Sequence, residues 1–284
     1  MTSWRTPVAI AVQPWFADHC FNGKTVLPAV ETMLLLAAGA GAERPEIDIR
    51  VMENARFSRF LEIPAGSISV EALLEYEQKA NGSILAKLLS RRQCTGMTRL
   101  QEHGEILFSP AQASRSHTSG IAPETPADSA ITIPAEQVYR ELVPFGPRYH
   151  TLRDVLHLSG QSAWGTLKAP ALPAPEEGAG EILGSPFPLD GAFHAACVLG
   201  QRSVDFVPFP VGFARRVIAR PTQPGGSYCT KVALLSLTQD ELVFDLGIFD
   251  SQGQIYEGVT GVRMRDVSGG RIKPPDWLKA RNTR

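Results

Sequence analysis

The segment from Asp18 to Pro28 contains a histidine that could act as an acid–base catalyst. In the sequence DHCFNGKTVLP, His19 lies four residues before Gly23, and Pro28 follows that glycine by five residues. An imidazole has an ordinary pKa of about 6.5, so it can supply a neutral base at physiological pH. A capping or core histidine would produce the same pattern. From this segment alone, the structural role is the better interpretation.

A second candidate pair lies in the sequence PFPLDGAFHAACVLGQ, where Asp190 precedes His194 by four residues. The apolar pattern predicts a buried helix over 188–201, and a spacing of four puts both side chains on one helix face. A carboxylate in the first turn is also typical of an N-terminal cap stabilised by the helix dipole. Taken alone, the cap is again the better interpretation.

A third stretch, VPFGPRYH, runs from Val143 to His150. Two prolines and a glycine between aromatic residues predict a rigid turn, and nothing local separates a structural turn from a functional one. The residues of this second motif that carry the pattern are Phe145, Gly146, Pro147 and Tyr149.

The elements that must position these residues form two similar halves. The Ser-, Pro- and Ala-rich sequence from Ser109 to Ala130 has no hydrophobic period, which is typical of an exposed linker. Each half combines one apolar, Pro-led helix with a run of strands, so the class is α+β with one plan used twice. The predicted units are an N-terminal subdomain, a linker, a C-terminal subdomain and a basic tail, at residues 1–110, 111–131, 132–267 and 268–284.

The local patterns also predict the individual elements. The Asn-Gly sequence at 81–82 predicts a hairpin between two strands of the first half. The predicted helices are 28–40, 134–143 and 188–201. The predicted strands are 66–78, 82–93, 97–109, 151–159, 162–169, 212–220, 227–237, 241–249 and 254–267.

Composition excludes several classes of protein. The chain has 284 residues, 43% of them hydrophobic, which suffices for one large domain or two ordinary ones. A formal net charge of -1 gives no sign of nucleic-acid binding. Four scattered cysteines lack zinc-ligand spacing, so no metal is predicted and the thiols are expected to be reduced. With no signal peptide and no membrane-length apolar run, we expect a cytoplasmic protein without membrane contact.

The order of the three stretches resembles one known family. His19, Gly23 and Pro28 match an HxxxGxxxxP motif, FGPRY at 145–149 is similar to YGPxF, and Asp190 with His194 matches Dxxx(Q/H). In these features the chain resembles the dehydratase domains of polyketide synthases and of polyunsaturated-fatty-acid synthases over residues 12–267. The resemblance implies a double hotdog fold, in which each half wraps an antiparallel sheet around a central helix.

The resemblance also implies a reaction, the loss of water from a β-hydroxyacyl thioester to give a trans-2-enoyl thioester. His19 would be the base and Asp190 the acid, and His194 would hydrogen-bond one of the reacting groups. Burial favours the protonated acid that Asp190 would need, whereas a helix N-terminus opposes it. Asp190 could instead only orient the hydroxyl or a water.

Two further positions of the first motif have implied roles. By the same resemblance, the Gly23 N–H would polarise the thioester carbonyl. Pro28 would fix the start of the helix whose N-terminus aids that polarisation.

One departure concerns the second motif. The family has tyrosine where this chain has Phe145, and Tyr149 stands at the usual phenylalanine. Loss of that hydroxyl puts the rate in doubt more than the reaction type. It also favours a subgroup outside ordinary modular polyketide enzymes, nearer the fatty-acid branch.

The implied partners are an acyl carrier protein or synthase modules, together with a homodimer. No bound cofactor is implied, because the substrate is carried on a phosphopantetheine thioester. The basic tail together with Arg215, Arg216 and Arg220 is a weaker candidate for carrier docking. Double-bond isomerase, polyketide cyclase, thioesterase and a catalytically silent acyl-binding scaffold stay open as alternatives.

Overall fold

The protein is built around one continuous sheet of twelve antiparallel strands. The computed structural model describes residues 2–94, 96–110, 123, 131–143, 145–172 and 179–279. Its strands are β1 (Thr2–Ala11), β2 (Cys20–Phe21), β3 (Lys24–Thr25), β4 (Ile47–Arg56), β5 (Ser69–Gln78), β6 (Ile84–Cys94), β7 (Met97–Pro110), β8 (Ile131–Pro134), β9 (Leu152–Ser159), β10 (Ser162–Lys168), β11 (Pro208–Ile218), β12 (Ser227–Leu237), β13 (Leu242–Phe249) and β14 (Ile255–Asp266). The short strands β2 and β3 form a separate two-stranded ladder.

Two long helices lie at the centre of the two halves. The helices are α1 (Ala29–Glu43), α2 (Ala135–Gln137), α3 (Ala179–Leu183) and α4 (Phe187–Gln201). Every residue of α4 is buried, as expected for a helix that is apolar nearly all round. Gly191 allows that enclosure, because a Cβ there would come within 2.2 Å of the Thr151 hydroxyl oxygen.

The order of the strands shows how the halves join. The sheet runs β1-β5-β6-β7-β4 in the first half and continues β11-β14-β13-β12-β10-β9-β8 in the second. The junction is the antiparallel pair of β4 with β11, where Gly212 lies opposite Arg56. Each half therefore wraps its part of the sheet around one helix, which is the double hotdog arrangement that the resemblance implied.

Most of the elements predicted from the sequence are present. The helices predicted at 28–40 and 188–201 are confirmed as α1 and α4, and β5 and β6 form the hairpin at 81–82. Strands β1 and β4 were not predicted. β1 pairs with β5 along its whole length, and β4 makes the junction, so both depend on partners distant in the chain.

The predicted helix at 134–143 is wrong in part. Its first residue ends strand β8, only one α-helical turn follows, and residues Val138–Leu142 form a π-helical turn. The wider turn buries Val138, Tyr139 and Leu142 against the core. The domain bounds stay predictions, and the linker at 111–131 lies almost wholly outside the described residues. No helix in the described part of the chain is long and apolar enough to cross a membrane.

Candidate active site

His19 is held at the end of a short 3-10 turn, Pro14–Asp18. Its N–H donates to the Phe16 carbonyl at 2.9 Å, and its own carbonyl accepts from the Val26 N–H at 3.1 Å. The imidazole Nδ1 lies 3.2 Å from the Val26 carbonyl oxygen. Because a carbonyl only accepts, Nδ1 carries the ring proton of the neutral histidine. The lone pair is therefore on Nε2, where a base needs it.

The surroundings of His19 keep it neutral. Its side chain is buried, and the ring stacks on Phe145 with centroids 4.3 Å apart and planes 9° apart. Desolvation lowers the pKa of His19 to about 4, although the nearby carboxylate of Asp190 acts in the opposite direction. The imidazole is therefore an unprotonated base at neutral pH.

Asp190 and His194 lie on one face of α4 and are both buried. Asp190 Oδ2 is 3.0 Å from His194 Nε2. The angles are not those of a hydrogen bond, so the two atoms make only a close polar contact. Within the described residues neither atom has a hydrogen-bond partner. Polar atoms that are buried without a partner are uncommon in folded proteins, and they mark this pair as a candidate for function.

Tyr139 contacts both His194 and the backbone at the start of β9. The Tyr139 hydroxyl oxygen accepts the Leu152 N–H at 2.8 Å and lies 3.3 Å from His194 Nδ1. The tyrosine proton is then free to be donated to Nδ1, which leaves the ring proton of neutral His194 on Nε2. That N–H is on the side of Asp190.

The second motif docks on the loop that carries His19. The Gly146 N–H donates to the Asp18 carbonyl at 2.7 Å, and the Asp18 carboxylate accepts the Arg148 N–H at 2.9 Å. A Cβ at Gly146 would lie 2.7 Å from atoms of the Asp18 side chain, which explains the glycine. Pro147 begins the 3-10 turn that follows. The motif therefore positions Phe145 by a fixed backbone contact.

Phe145 lies between the two histidines. Besides its stack on His19, its ring is 5.3 Å from the His194 ring at an angle of 28°. Tyr149 contacts the His19 ring edge-on, with centroids 5.1 Å apart, but it does not line the cavity. Its hydroxyl is buried without a partner among the described residues, and burial raises its pKa.

The site opens into a cavity of about 420 Å³ that both halves line. The size is typical of small-molecule sites. His19 borders it from the first half, and Asp190 and His194 border it from the second. The apolar part of the wall includes Phe57 and Leu61 from the first half and Val143, Phe193 and Phe209 from the second. The cavity suits a largely apolar molecule with one polar group at its reacting end.

The two remaining positions of the first motif, Pro28 and Gly23, lie in different surroundings. Pro28 is buried and directly precedes α1, and Ala29 and Thr32 of the first turn line the cavity. The positive end of the α1 dipole therefore borders the site. Gly23 lies elsewhere: it is in the exposed turn between β2 and β3, at a φ of 75°. Gly23 is not part of the cavity lining, and the left-handed turn explains the glycine. A contact of its N–H with the substrate stays a prediction.

The predicted carrier-docking arginines do not form one surface. Arg216 is buried and forms a bidentate ion pair with Glu257, at 2.6 and 3.2 Å, so its inclusion is wrong. Arg215 pairs with Glu53 at 2.6 Å, and of the three only Arg220 is exposed. The described part of the basic tail packs back on the second half, where Lys279 pairs with Asp205 at 2.6 Å.

Sequence reasoning did not identify three residues near His19 and Asp190. Tyr139 and Asp18 have the contacts described above. Glu31, in the first turn of α1, accepts the Trp15 indole N–H at 3.2 Å, and burial raises its pKa to about 7. Only Asp18 had a local signal, since it directly precedes His19. Within the described ranges, no three metal-ligating side chains come together.

Comparisons with known proteins identify the family. A family model described as the polyketide synthase dehydratase N-terminal domain matches residues 117–272, more than half of the chain. The polyketide synthase ThaG of Burkholderia thailandensis is 26% identical over 217 residues, covering 72% of this chain and 4% of that protein. The chain therefore spans a small fraction of the length of this relative.

Solved structures give the same result for the fold. The dehydratase domain of RzxB from Pseudomonas fluorescens has a TM-score of 0.72 at 20% identity, covering 92% of this chain and 94% of that one. A trans-AT polyketide synthase dehydratase domain from Brevibacillus brevis has a TM-score of 0.69 at 18% identity, covering 94% of both chains. This likeness confirms the double hotdog fold.

Proposed function

The chain belongs to the polyketide synthase dehydratase family, and we propose that it removes water from a β-hydroxyacyl thioester to give the trans-2-enoyl thioester. Membership of the family supports a dehydratase role in polyketide synthesis. One observation carries the finer proposal: a neutral, buried base from one half and a buried carboxyl group from the other half border the same cavity.

The first proton transfer is assigned to His19. Its Nε2 lone pair takes the proton from the carbon next to the thioester carbonyl, while Nδ1–H stays on the Val26 carbonyl. Negative charge then develops on the thioester oxygen. The N-terminal turn of α1, which borders the cavity, provides the favourable potential for that charge.

The second proton transfer is assigned to Asp190. In its protonated form it gives its proton to the β-hydroxyl as the carbon–oxygen bond breaks, and water leaves. His194 Nε2 lies 3.0 Å from Asp190 Oδ2, and a small rotation of either side chain would let the imidazole N–H donate to the carboxyl group. Return of the proton from His19 to Asp190 restores the starting state, so the cycle needs no other reactant.

Phe145 limits the polar groups that act on the substrate. Where the family has a tyrosine hydroxyl, this cavity has a phenyl ring stacked on both imidazoles. The reaction then depends on the packing of the two halves, which holds His19 and Asp190 in fixed relative positions. We propose the substrate is delivered by an acyl carrier protein within a synthase, on its phosphopantetheine arm, and a homodimer stays a prediction.

The test uses a β-hydroxyacyl pantetheine thioester and its enoyl partner, with both followed by mass spectrometry. Wild-type protein should interconvert them, and His19→Asn and Asp190→Asn should each lower kcat by about 100-fold or more, the usual contribution of a general acid or base. His157→Asn is the matched control, because His157 lies on β9 outside the cavity lining.

The alternative activities would give different products. A shift of the double bond without change in mass would identify an isomerase, and free pantetheine would identify a thioesterase. A ring formed by an aldol step would identify a cyclase. Failure to convert any acyl thioester, including a carrier-bound one, would refute the dehydratase proposal and favour a silent acyl-binding scaffold.

A further inference from the structure

The cavity has a charged end that the catalytic pair does not use. Four residues both line the cavity and are exposed to solvent, and three of them are charged: Ser58, Arg59, Glu62 and Arg92. His19, Asp190 and their neighbours on α4 are buried. The exposed residues therefore mark the place where the cavity meets solvent.

The charges at this mouth do not cancel. Lys24 neutralises Glu62, because its ammonium group lies 2.8 Å from both carboxylate oxygens. Arg59 and Arg92 have no carboxylate partner within the described part of the chain. Arg92 makes one long hydrogen bond, at 3.4 Å, to the side-chain oxygen of Gln101. Two positive charges are thus left at the mouth of a protein whose net charge is -1.

The backbone that carries Arg59 is fixed by a buried histidine. His103 Nδ1 donates to the Arg59 carbonyl at 3.2 Å, and its Nε2 lies 2.7 Å from the Ser90 hydroxyl. Burial lowers the pKa of His103, which favours the neutral ring that this arrangement needs. The Ser58 N–H also donates to the His103 carbonyl at 3.1 Å. Arg59 is therefore presented from a rigid base, which reduces the entropy lost on binding.

We infer that Arg59 and Arg92 form an anion subsite that binds the phosphate of a phosphorylated pantetheine arm while the thioester reaches His19 and Asp190. The inference rests on the proposed function. A guanidinium group matches the geometry of phosphate oxygens, and two of them at a cavity mouth suit a ligand whose charged end stays in solvent.

The test compares one β-hydroxyacyl group on pantetheine, on phosphopantetheine, on coenzyme A and on a carrier protein. Wild-type protein should have a lower KM for the phosphorylated forms. The double variant Arg59→Gln, Arg92→Gln should raise KM for those forms by about 10-fold, as expected for two exposed charge-assisted contacts. The double variant should leave KM for the pantetheine thioester unchanged. The difference should shrink as salt rises.

Arg91→Gln is the matched control. Arg91 is the exposed neighbour of Arg92 on β6 and does not line the cavity. An equal loss with Arg91→Gln would show a general charge effect and overturn the subsite. An equal loss on pantetheine and phosphopantetheine would do the same, because no phosphate would then be involved. A loss seen only with the carrier-bound form would assign the arginines to the carrier surface instead.

A binding experiment separates this inference from the proposed function. Free phosphopantetheine and pantetheine are titrated into wild-type protein and into the double variant, with calorimetric detection. Tighter binding of phosphopantetheine that is lost in the double variant supports the subsite even if no thioester is turned over. Equal binding of the two molecules to wild-type protein overturns it even if dehydration is confirmed.

Discussion

Replacing His19 by asparagine should separate its role in catalysis from its effect on stability. The asparagine amide can still donate to the Val26 carbonyl, as Nδ1 does at 3.2 Å, but it offers no base. The kcat should therefore fall by about 100-fold or more, which is the usual contribution of a general base. Stability should change in a way that depends on pH, because only the histidine titrates.

The sign and size of this pH-dependent change in stability follow from the pKa of His19. Burial lowers it from 6.5 to about 4, so between these values the unfolded chain binds more protons than the folded protein. Acidification through that window destabilises the wild type. From about pH 7 to about pH 4.5, the loss attributable to His19 is about 2 kcal/mol. The asparagine variant escapes this loss.

The assay is urea unfolding followed by tryptophan fluorescence, for both proteins at the two pH values. Titrating groups that do not interact with His19 contribute equally to both proteins and cancel in the comparison. The free energy of unfolding of the variant should fall by about 2 kcal/mol less than that of the wild type. An unchanged m-value would show that both proteins unfold from comparable states. Parallel pH dependences would refute the assignment of His19 as a buried neutral base.

Three further substitutions test the surroundings of the pair. Glu31→Gln should raise the free energy of unfolding by about 3 kcal/mol at about pH 8 but only by about 1 kcal/mol near pH 5. The reason is that the folded carboxyl group, with a pKa of about 7, ionises at a cost that the unfolded chain does not have. Urea unfolding at both pH values would measure this. Gly146→Ala should lower the free energy of unfolding by about 1–3 kcal/mol and should also lower kcat, since the new Cβ would lie 2.7 Å from the Asp18 side chain. Urea unfolding and turnover would be measured on the same protein. Tyr139→Phe should cost about 1–3 kcal/mol in the same unfolding assay, because a buried N–H loses its acceptor and His194 loses its donor.

Each of these expectations has a contrary result. Equal stability of the Glu31 variant and the wild type at the higher pH would show that the carboxyl group is not destabilised by burial. A fully active, equally stable Gly146 variant would show that the second motif does not dock on Asp18 as described. A Tyr139 variant with unchanged stability would show that water satisfies the freed N–H.

Local rules in the sequence accounted for much of the framework. Pro28 and the apolar run after it predicted α1, and a spacing of four residues placed Asp190 and His194 on one face of α4, because helix geometry depends only on near neighbours. Alternation and an Asn-Gly turn predicted the β5–β6 hairpin in the same way. The order of three motifs indicated the family and the double hotdog fold, which the comparisons confirm.

Contacts between distant segments could not be read from those rules. Strands β1 and β4 were missed because their partners, β5 and β11, lie far along the chain. The same holds for Arg216, which is buried in an ion pair with Glu257, and for Gly23, which lies in an exposed turn. Neither depends on the residues next in sequence.

The candidate site shows the same division. The sequence by itself determined which residue types are available: an imidazole in one half, a carboxyl group and a second imidazole in the other, and a phenylalanine in place of a tyrosine. Only the tertiary structure decided that Phe145 lies between the two imidazoles, that His19 is desolvated and neutral, and that Arg59 and Arg92 stand at the mouth of the same cavity. The physical reason is that desolvation, stacking and cavity shape are set by the packing of the two halves against each other.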